Sequence, residues 1–152
     1  MTATTAPTRP AIRTLTRTVT RTGADGPIRD AVLLAFRVVT SFLFFLHAIM
    51  AFGALGGMDG AGAAAPFGSL PFVAGSIQAA GAVLIALGLH TRAAAFILSG
   101  VMAFAYFSVH APLGWNPLQN MGEPAALYSW IFLAICAVGG GRYALDTLRR
   151  TR

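Results

Sequence analysis

Four long apolar runs alternate with shorter, more polar connections along the chain. The runs occupy residues 31–52, 71–89, 93–111 and 124–141. A helix rises 1.5 Å per residue, so it needs about 20 apolar residues to cross roughly 30 Å of hydrocarbon. Each run is about that length. We therefore expect an all-α membrane protein in which four transmembrane helices form a bundle.

The composition agrees with this pattern and excludes several other classes of protein. Apolar residues make up 56% of the 152 residues and charged residues only 11%, whereas a soluble domain carries about a quarter charged residues. A soluble enzyme is therefore excluded. The single Cys excludes a secreted disulfide scaffold, and a mean hydropathy of +0.68 excludes an intrinsically disordered chain.

The positive charge indicates the orientation in the membrane. All 11 basic residues are Arg, and the connections 53–70 and 112–123 contain none of them. Because cytoplasmic loops collect positive charge, both termini are predicted to be cytoplasmic, in a multi-pass protein of the cell membrane. Arginines confined to one side also argue against nucleic-acid binding. Outside the runs they lie at Arg9, Arg13, Arg17, Arg21, Arg29, Arg92, Arg142, Arg149, Arg150 and Arg152.

The chain divides into a basic, Thr/Arg-rich N-terminal tail (1–30), a four-helix membrane domain (31–146) and a basic C-terminal tail (147–152). On a helix, the N-terminal arginines would form one stripe that could lie on anionic lipid headgroups. Thr is a poor helix former, which favours instead a disordered tail that only sets the orientation. An Arg-rich, acid-poor start also resembles a mitochondrial transit peptide. The stripe consists of Arg9, Arg13, Arg17 and Arg21.

Polar side chains inside the runs are the candidates for function, because such groups are costly in a bilayer and usually face the interior of a bundle. Each run contributes one near its predicted outer end, so we expect an outward-facing polar pocket. Its predicted members are His47, Gln78, Tyr106, His110, Asn120, Glu123 and Tyr128.

A second set of polar residues lies at the predicted inner end and is expected to serve structure and topology. Arg37 is expected to reach the headgroups or to pair with Asp30 or Asp146. The set consists of Arg37, Arg92, Arg142 and Asp146.

Three interpretations of the outer residues compete. His47, His110 and Glu123 are acceptable metal ligands, and two histidines could ligate a haem across a bundle. No spacing motif supports either site, so we expect no metal and no haem. A quinone or a similar small redox molecule is favoured over these, with His and Tyr bonding to its oxygens. The third interpretation is polar packing without any ligand.

The sequence offers no self-sufficient catalytic motif. Cys136 lies in an apolar run, and a single Cys cannot complete a dithiol–disulfide cycle. Gly-rich phosphate loops, GxSxG and CxxC are missing. Any thiol or sulfur chemistry would therefore have to come from a partner protein.

Several segments resemble the DoxX family of small bacterial four-helix membrane proteins, over about residues 31–146. The most specific is HAPLGWNPLQNMGEPAALY (110–128), followed by GGGRYALD (139–146) and GLHTR (88–92). Arg37 followed by His47 in the first run is also similar to the family pattern.

The resemblance implies a link to redox chemistry. Family members are associated with membrane-bound thiosulfate:quinone oxidoreductases and with complexes that couple superoxide detoxification to thiol balance. Ala51 and Gln78 stand here where a Lys and an acidic residue are common in the family. We therefore expect a membrane subunit or anchor of a redox complex that holds a quinone and meets soluble redox proteins. The alternative is a carrier or permease with an outward-facing polar pocket.

Overall fold

The computed structural model describes residues 25–150 as a bundle of helices. A π-helical turn (Tyr106–His110) and a 3-10 turn (Ala111–Leu113) prolong the third helix. Apart from one isolated bridge between Phe52 and Ala64, these residues form no β-structure. The all-α fold expected from the apolar runs is thus confirmed. The helices are α1 (Asp25–Ile49), α2 (Leu70–Leu87), α3 (Thr91–Ala105), α4 (Glu123–Val138) and the short α5 (Leu145–Arg150).

Within residues 25–150, three helical stretches are long and apolar enough to cross a membrane: Gly26–Ile49, Leu70–Leu87 and Thr91–Leu113. The fourth apolar helix, α4, has 16 residues. Helix α1 is described from Asp25, within the predicted tail, and Pro27 is tolerated in this first described turn. The predicted stripe of Arg9, Arg13, Arg17 and Arg21 lies outside the described residues.

The helices pack in chain order, α1 against α2, α2 against α3 and α3 against α4. The ring of Phe44 on α1 meets Phe132 on α4, with ring centroids 4.6 Å apart, which closes the bundle. Connections 50–69 and 106–122 lie at one end, called here the loop end. Connections 88–90 and 139–144 lie at the opposite end, called here the turn end.

Small residues let α2 approach its neighbours closely. A Cβ on Gly75 would lie 2.5 Å from the Cβ of Ala51, and one on Gly81 would lie 2.7 Å from Leu98. Phe44, Leu98 and Phe132 are fully buried at the centre of the bundle. Large apolar side chains cover the outer faces, as expected for helices that contact lipid. Examples are Val39, Phe42, Phe96, Phe104 and Trp130.

Candidate functional site

A cavity of about 380 Å³ lies at the loop end, between α1, α2 and α3 and the start of α4. Its walls are mainly apolar. Polar groups enter it from three helical elements, at His47, Gln78, Ser108 and His110. Clefts of this size with a few convergent polar groups are typical of small-molecule sites. This cavity is the candidate functional site.

Gln78 supplies a buried amide to the cavity wall from the middle of α2. Its side chain is 8% exposed, and its Nε2 donates a long hydrogen bond of 3.5 Å to the sulfur of Met102. Among residues 25–150, its carbonyl oxygen receives no hydrogen bond. A thioether is a weak acceptor. The amide is therefore available to a ligand.

His110 is held in one tautomer by the main chain. Its Nδ1 lies 3.0 Å from the carbonyl oxygen of Asn120. A carbonyl oxygen can only accept a hydrogen bond, so Nδ1 must carry the proton. In the neutral ring, Nε2 then presents a lone pair. His110 is thus an acceptor or a metal ligand, but not a donor, unless it becomes an imidazolium.

Asn120 fixes the position of His110 without lining the cavity. It is 2% exposed. Its Nδ2 donates to the Gly114 carbonyl at 2.7 Å, and its Oδ1 accepts from the Gly122 N–H at 2.8 Å. A Cβ on Gly122 would lie 2.7 Å from His110 and 2.8 Å from Tyr106. The absence of a side chain there lets this segment pack on the π-helical turn.

His47 reaches the cavity from the last turn of α1. Its ring stacks on Phe44, with centroids 6.0 Å apart and an angle of 22° between planes. In the part of the chain that the structure describes, no hydrogen bond is formed by its ring nitrogens. The neutral ring can therefore offer one donor and one acceptor to a ligand.

The structure brings only part of the predicted polar cluster together. His47, Gln78 and His110 line the cavity. Tyr106 lies beside His110 but packs edge-on against Phe107, with centroids 5.2 Å apart. The other three predicted residues do not line the cavity: Asn120 lies behind His110, and Glu123 and Tyr128 lie elsewhere.

Tyr128 packs deeper, 4.8 Å from the ring of Phe44, and belongs to the aromatic core. Glu123 is exposed in the first turn of α4, where a carboxylate interacts favourably with the helix dipole. Neither lines the cavity. Glu123 and Tyr128 are predicted to lie at a similar depth in the membrane to the histidines, but they lie on faces of α4 that do not meet the cavity.

Sequence reasoning missed the methionines. Met50, Met58, Met102 and Met121 all line the same cavity. For Met50, Met58 and Met121 the signal available was position, since they lie near the predicted outer end of an apolar run or in an outer connection. Met102 lies in the middle of its run and gave no such signal.

At the turn end, Arg37 is 1% exposed and does not reach the headgroups. Its guanidinium donates to the carbonyl oxygens of Gly140, at 2.8 Å, and Tyr143, at 3.3 Å. The expected ion pair with Asp30 or Asp146 is replaced by these main-chain acceptors, because the glycine-rich segment after α4 folds over the guanidinium. Arg37 thus ties α1 to that segment.

Asp146 caps a helix that is distant from it in sequence. Its carboxylate accepts from the His90 N–H at 2.7 Å, from the Thr91 N–H at 2.8 Å and from the Thr91 hydroxyl at 2.9 Å. Burial alone would raise the pKa of Asp146, but these hydrogen bonds, with attraction to His90, outweigh it and lower the pKa below its usual value. Arg92 and Arg142 line a shallow cleft beside this cap.

The metal ligands considered from the sequence do not converge. Within residues 25–150, no three His, Cys, Asp or Glu side chains come close enough to hold an ion. His47 and His110 share the cavity, but Glu123 does not line it.

Comparison with known proteins places these features in a family. The DoxX family model matches residues 32–111, which includes His47, Gln78 and His110. The matched region ends at residue 111, so it does not include most of the segment 110–128 on which the resemblance was based. No solved structure matches the chain.

Two proteins of Haemophilus influenzae, both described as uncharacterized, are similar to the chain. The first is 43% identical over 121 residues, which are 78% of this chain and 90% of the relative. The second is 32% identical over 65 residues, which are 43% of each chain. With a family model over more than half of its length and a relative aligned over most of both chains, this protein belongs to the DoxX family.

Proposed function

We propose that this chain is the membrane subunit of a redox complex and that its loop-end cavity binds the headgroup of a quinol. The observation that carries the proposal is the fixed His110 tautomer in a mainly apolar cavity. An acceptor at this half-buried position favours a ligand that can donate a hydrogen bond.

The donors and acceptors in the cavity suit the reduced form of a quinone. A quinone oxygen only accepts hydrogen bonds, whereas each hydroxyl of a quinol can also donate one. The Nε2 of His110 can accept such a hydroxyl, while His47 and the Gln78 amide can each donate and accept. A quinone would leave the His110 acceptor unpaired. The site therefore favours the quinol.

The rim of the cavity suits an apolar tail. Leu70, Phe104 and Val109 line the cavity and are 60%, 57% and 55% exposed. On helices that cross a membrane, such side chains face lipid. A headgroup bound between His47 and His110 could therefore extend its tail past them into the bilayer.

The chain has no group of its own to take the electrons of a quinol. Cys136, the single Cys, is absent from the cavity lining. A soluble redox partner would supply that group, as the family association suggests. This arrangement makes the chain an anchor and ligand-binding subunit, with the loop end on the outer side of the cell membrane.

The test measures binding of a short-chain quinol analogue to the purified protein in nanodiscs. His110→Ala should weaken binding by about 1–3 kcal/mol, the cost of one lost hydrogen bond. Gln78→Leu should weaken it by a similar amount. Glu123→Gln, on the same end but outside the cavity, is the matched control and should bind as the wild type does.

Two results would contradict the proposal. One is tighter binding of the quinone than of the quinol, and the other is unchanged quinol binding by both cavity variants. The carrier alternative predicts instead that the chain alone moves a solute into proteoliposomes. We retain this alternative because the cavity lies open at the loop end, where a solute could enter it.

A further inference from the structure

Methionines are concentrated in one place in this protein. The sequence has five, and all except Met1, which lies outside the described residues, line the loop-end cavity. Two of the three histidines line it as well. We propose that the mouth of this cavity binds a soft monovalent metal ion, Cu(I), through methionine thioethers and histidine imidazoles.

The chemistry of the donors selects this class of ion. Thioether sulfur is a soft, uncharged ligand that favours Cu(I), and imidazole also suits copper. Zinc and calcium sites use mainly imidazole, thiolate or carboxylate ligands. In the portion of the chain that the structure describes, no cluster of three such residues exists. The methionines are therefore the donors that would complete a site.

The donors are arranged around the mouth of the cavity. His47 lies in the last turn of α1, and Met50 directly follows that helix in a turn where its N–H donates to the His47 carbonyl at 3.3 Å. Met58 and Met121 come from the two connections at the loop end and are 63% and 75% exposed. Their flexible side chains can move toward a bound ion. Met102 lies deeper, at 3% exposure.

His110 has the arrangement expected of a metal ligand. Ligating histidines usually donate their other ring N–H to a carboxylate, a main-chain carbonyl or water, which fixes the ring and its tautomer. The Nδ1 of His110 makes this bond to the Asn120 carbonyl at 3.0 Å. Its Nε2 is left as the free ligand atom.

The segment that follows Asn120, the partner of His110, holds Met121 in an uncommon main-chain conformation. Met121 has a φ of +55°, which non-glycine residues rarely adopt. Hydrogen bonds on both sides keep it there, from Gly122 N–H to Pro117 O at 3.0 Å and from Asn120 N–H to Asn116 O at 3.0 Å. Strained residues of this kind cluster at functional sites. The conformation places Met121 on the cavity beside His110.

Both proposals use His47 and His110, so the ion and the quinol would compete for the histidines. They differ in the other groups: the quinol headgroup is also assigned to Gln78, whereas only the ion depends on the thioethers. Replacing Met by Leu keeps the apolar volume and removes only the sulfur. Met→Leu variants therefore distinguish Cu(I) binding, which needs the sulfur atoms, from quinol binding, which does not.

The test is an anaerobic Cu(I) titration of the full chain in nanodiscs, in competition with a chromophoric Cu(I) chelator and with no histidine tag remaining. We expect one ion per chain. The double variant Met58→Leu/Met121→Leu should lower the affinity at least about tenfold, the smallest usual effect of altering a metal site. Cys136→Ala removes the other soft donor, outside the cavity, and should bind Cu(I) as the wild type does.

Three results would overturn the proposal: no competition by the wild type, wild-type affinity in the double Leu variant, or loss of binding in Cys136→Ala. X-ray absorption of the loaded protein should show both sulfur and nitrogen neighbours of copper, and nitrogen alone would contradict the thioether assignment. Binding of the quinol analogue is measured on the same double variant. If that binding is unchanged while Cu(I) affinity falls, only the metal site has been altered.

Discussion

At the scale of single residues, the turn end shows what a side-chain pattern can and cannot predict. Arg37 and Asp146 are both in this region, as expected. Their hydrogen-bond partners are main-chain groups, at Gly140 and Tyr143 for the arginine and at His90 and Thr91 for the carboxylate. Main-chain groups left free by turns and helix ends carry no sequence signal. The nearest residue of opposite charge therefore did not predict the hydrogen-bond partners of Arg37 or Asp146.

Asp146 gives a prediction about pH. Its hydrogen bonds hold the pKa of Asp146 below its usual value in the folded protein, so the charged form stabilises the fold. This stabilisation is complete above the unfolded pKa and is lost as the pH falls through the folded value. Asp146→Ala removes a capping acceptor and should cost about 1–2 kcal/mol at pH 7.

The measurement is thermal unfolding in nanodiscs between pH 7 and pH 3, for the wild type, Asp146→Ala and Asp146→Asn. The difference between the wild type and either variant should shrink as the pH falls below about 4. A constant difference across this range would show that the charge of Asp146 does not stabilise the fold.

At the scale of elements, apolar run length predicted the helices well, because lipid forces every backbone group into internal hydrogen bonds. It could not predict the π-helical turn at Tyr106–His110. A π-helical turn holds more residues than an α-helical one, so it changes which side chains share a face. His110 therefore lines the cavity while Tyr106 does not, although both are predicted members of the outer pocket.

Gly88, which ends α2, gives a prediction at this scale. It has a φ of +72°, and a Cβ there would collide with the Arg37 guanidinium and lie 2.6 Å from the Ala144 Cβ. Gly88→Ala should therefore lower the free energy of unfolding by about 1–3 kcal/mol, the usual cost of overpacking. Thermal unfolding of the purified protein measures this.

Gly100→Ala is the matched control for Gly88→Ala. Gly100 lies inside α3, and a Cβ there meets nothing within 4 Å. Since Ala is the better helix former, this variant should be as stable as the wild type or slightly more so. Equal stability of Gly88→Ala and Gly100→Ala would show that the turn end tolerates a side chain against Arg37.

At the scale of the whole molecule, the asymmetry of the arginines predicts the orientation. Reporter fusions at Thr5, Gly60, Arg92, Gln119 and Arg152 should read inside, outside, inside, outside and inside. The reason is that the loop-end connections lack Arg whereas the turn end carries Arg92 and Arg142. An outside signal at Arg152 would contradict an even number of crossings.

The sequence predicts a polar pocket at the end of the bundle where the structure has its cavity, and the structure places part of the predicted residues on that cavity. The position of a residue along an apolar run gives its approximate depth in the membrane. This depth predicted that His47, Gln78 and His110 lie at one level. The rotation of each helix is set by packing, which turns Tyr128 into the aromatic core and leaves Glu123 exposed. The methionines were not selected because they are indistinguishable from other apolar residues in a hydropathy pattern.

The short α4 also has a consequence for the surrounding lipid. With 16 residues it spans about 24 Å, several ångströms less than a typical hydrocarbon core of roughly 30 Å. Such a hydrophobic mismatch is relieved when the bilayer thins next to the short helix, or when another subunit covers it. We therefore expect the bilayer to be thinnest beside α4 when that helix faces lipid, which is also where a membrane partner would remove the most mismatch.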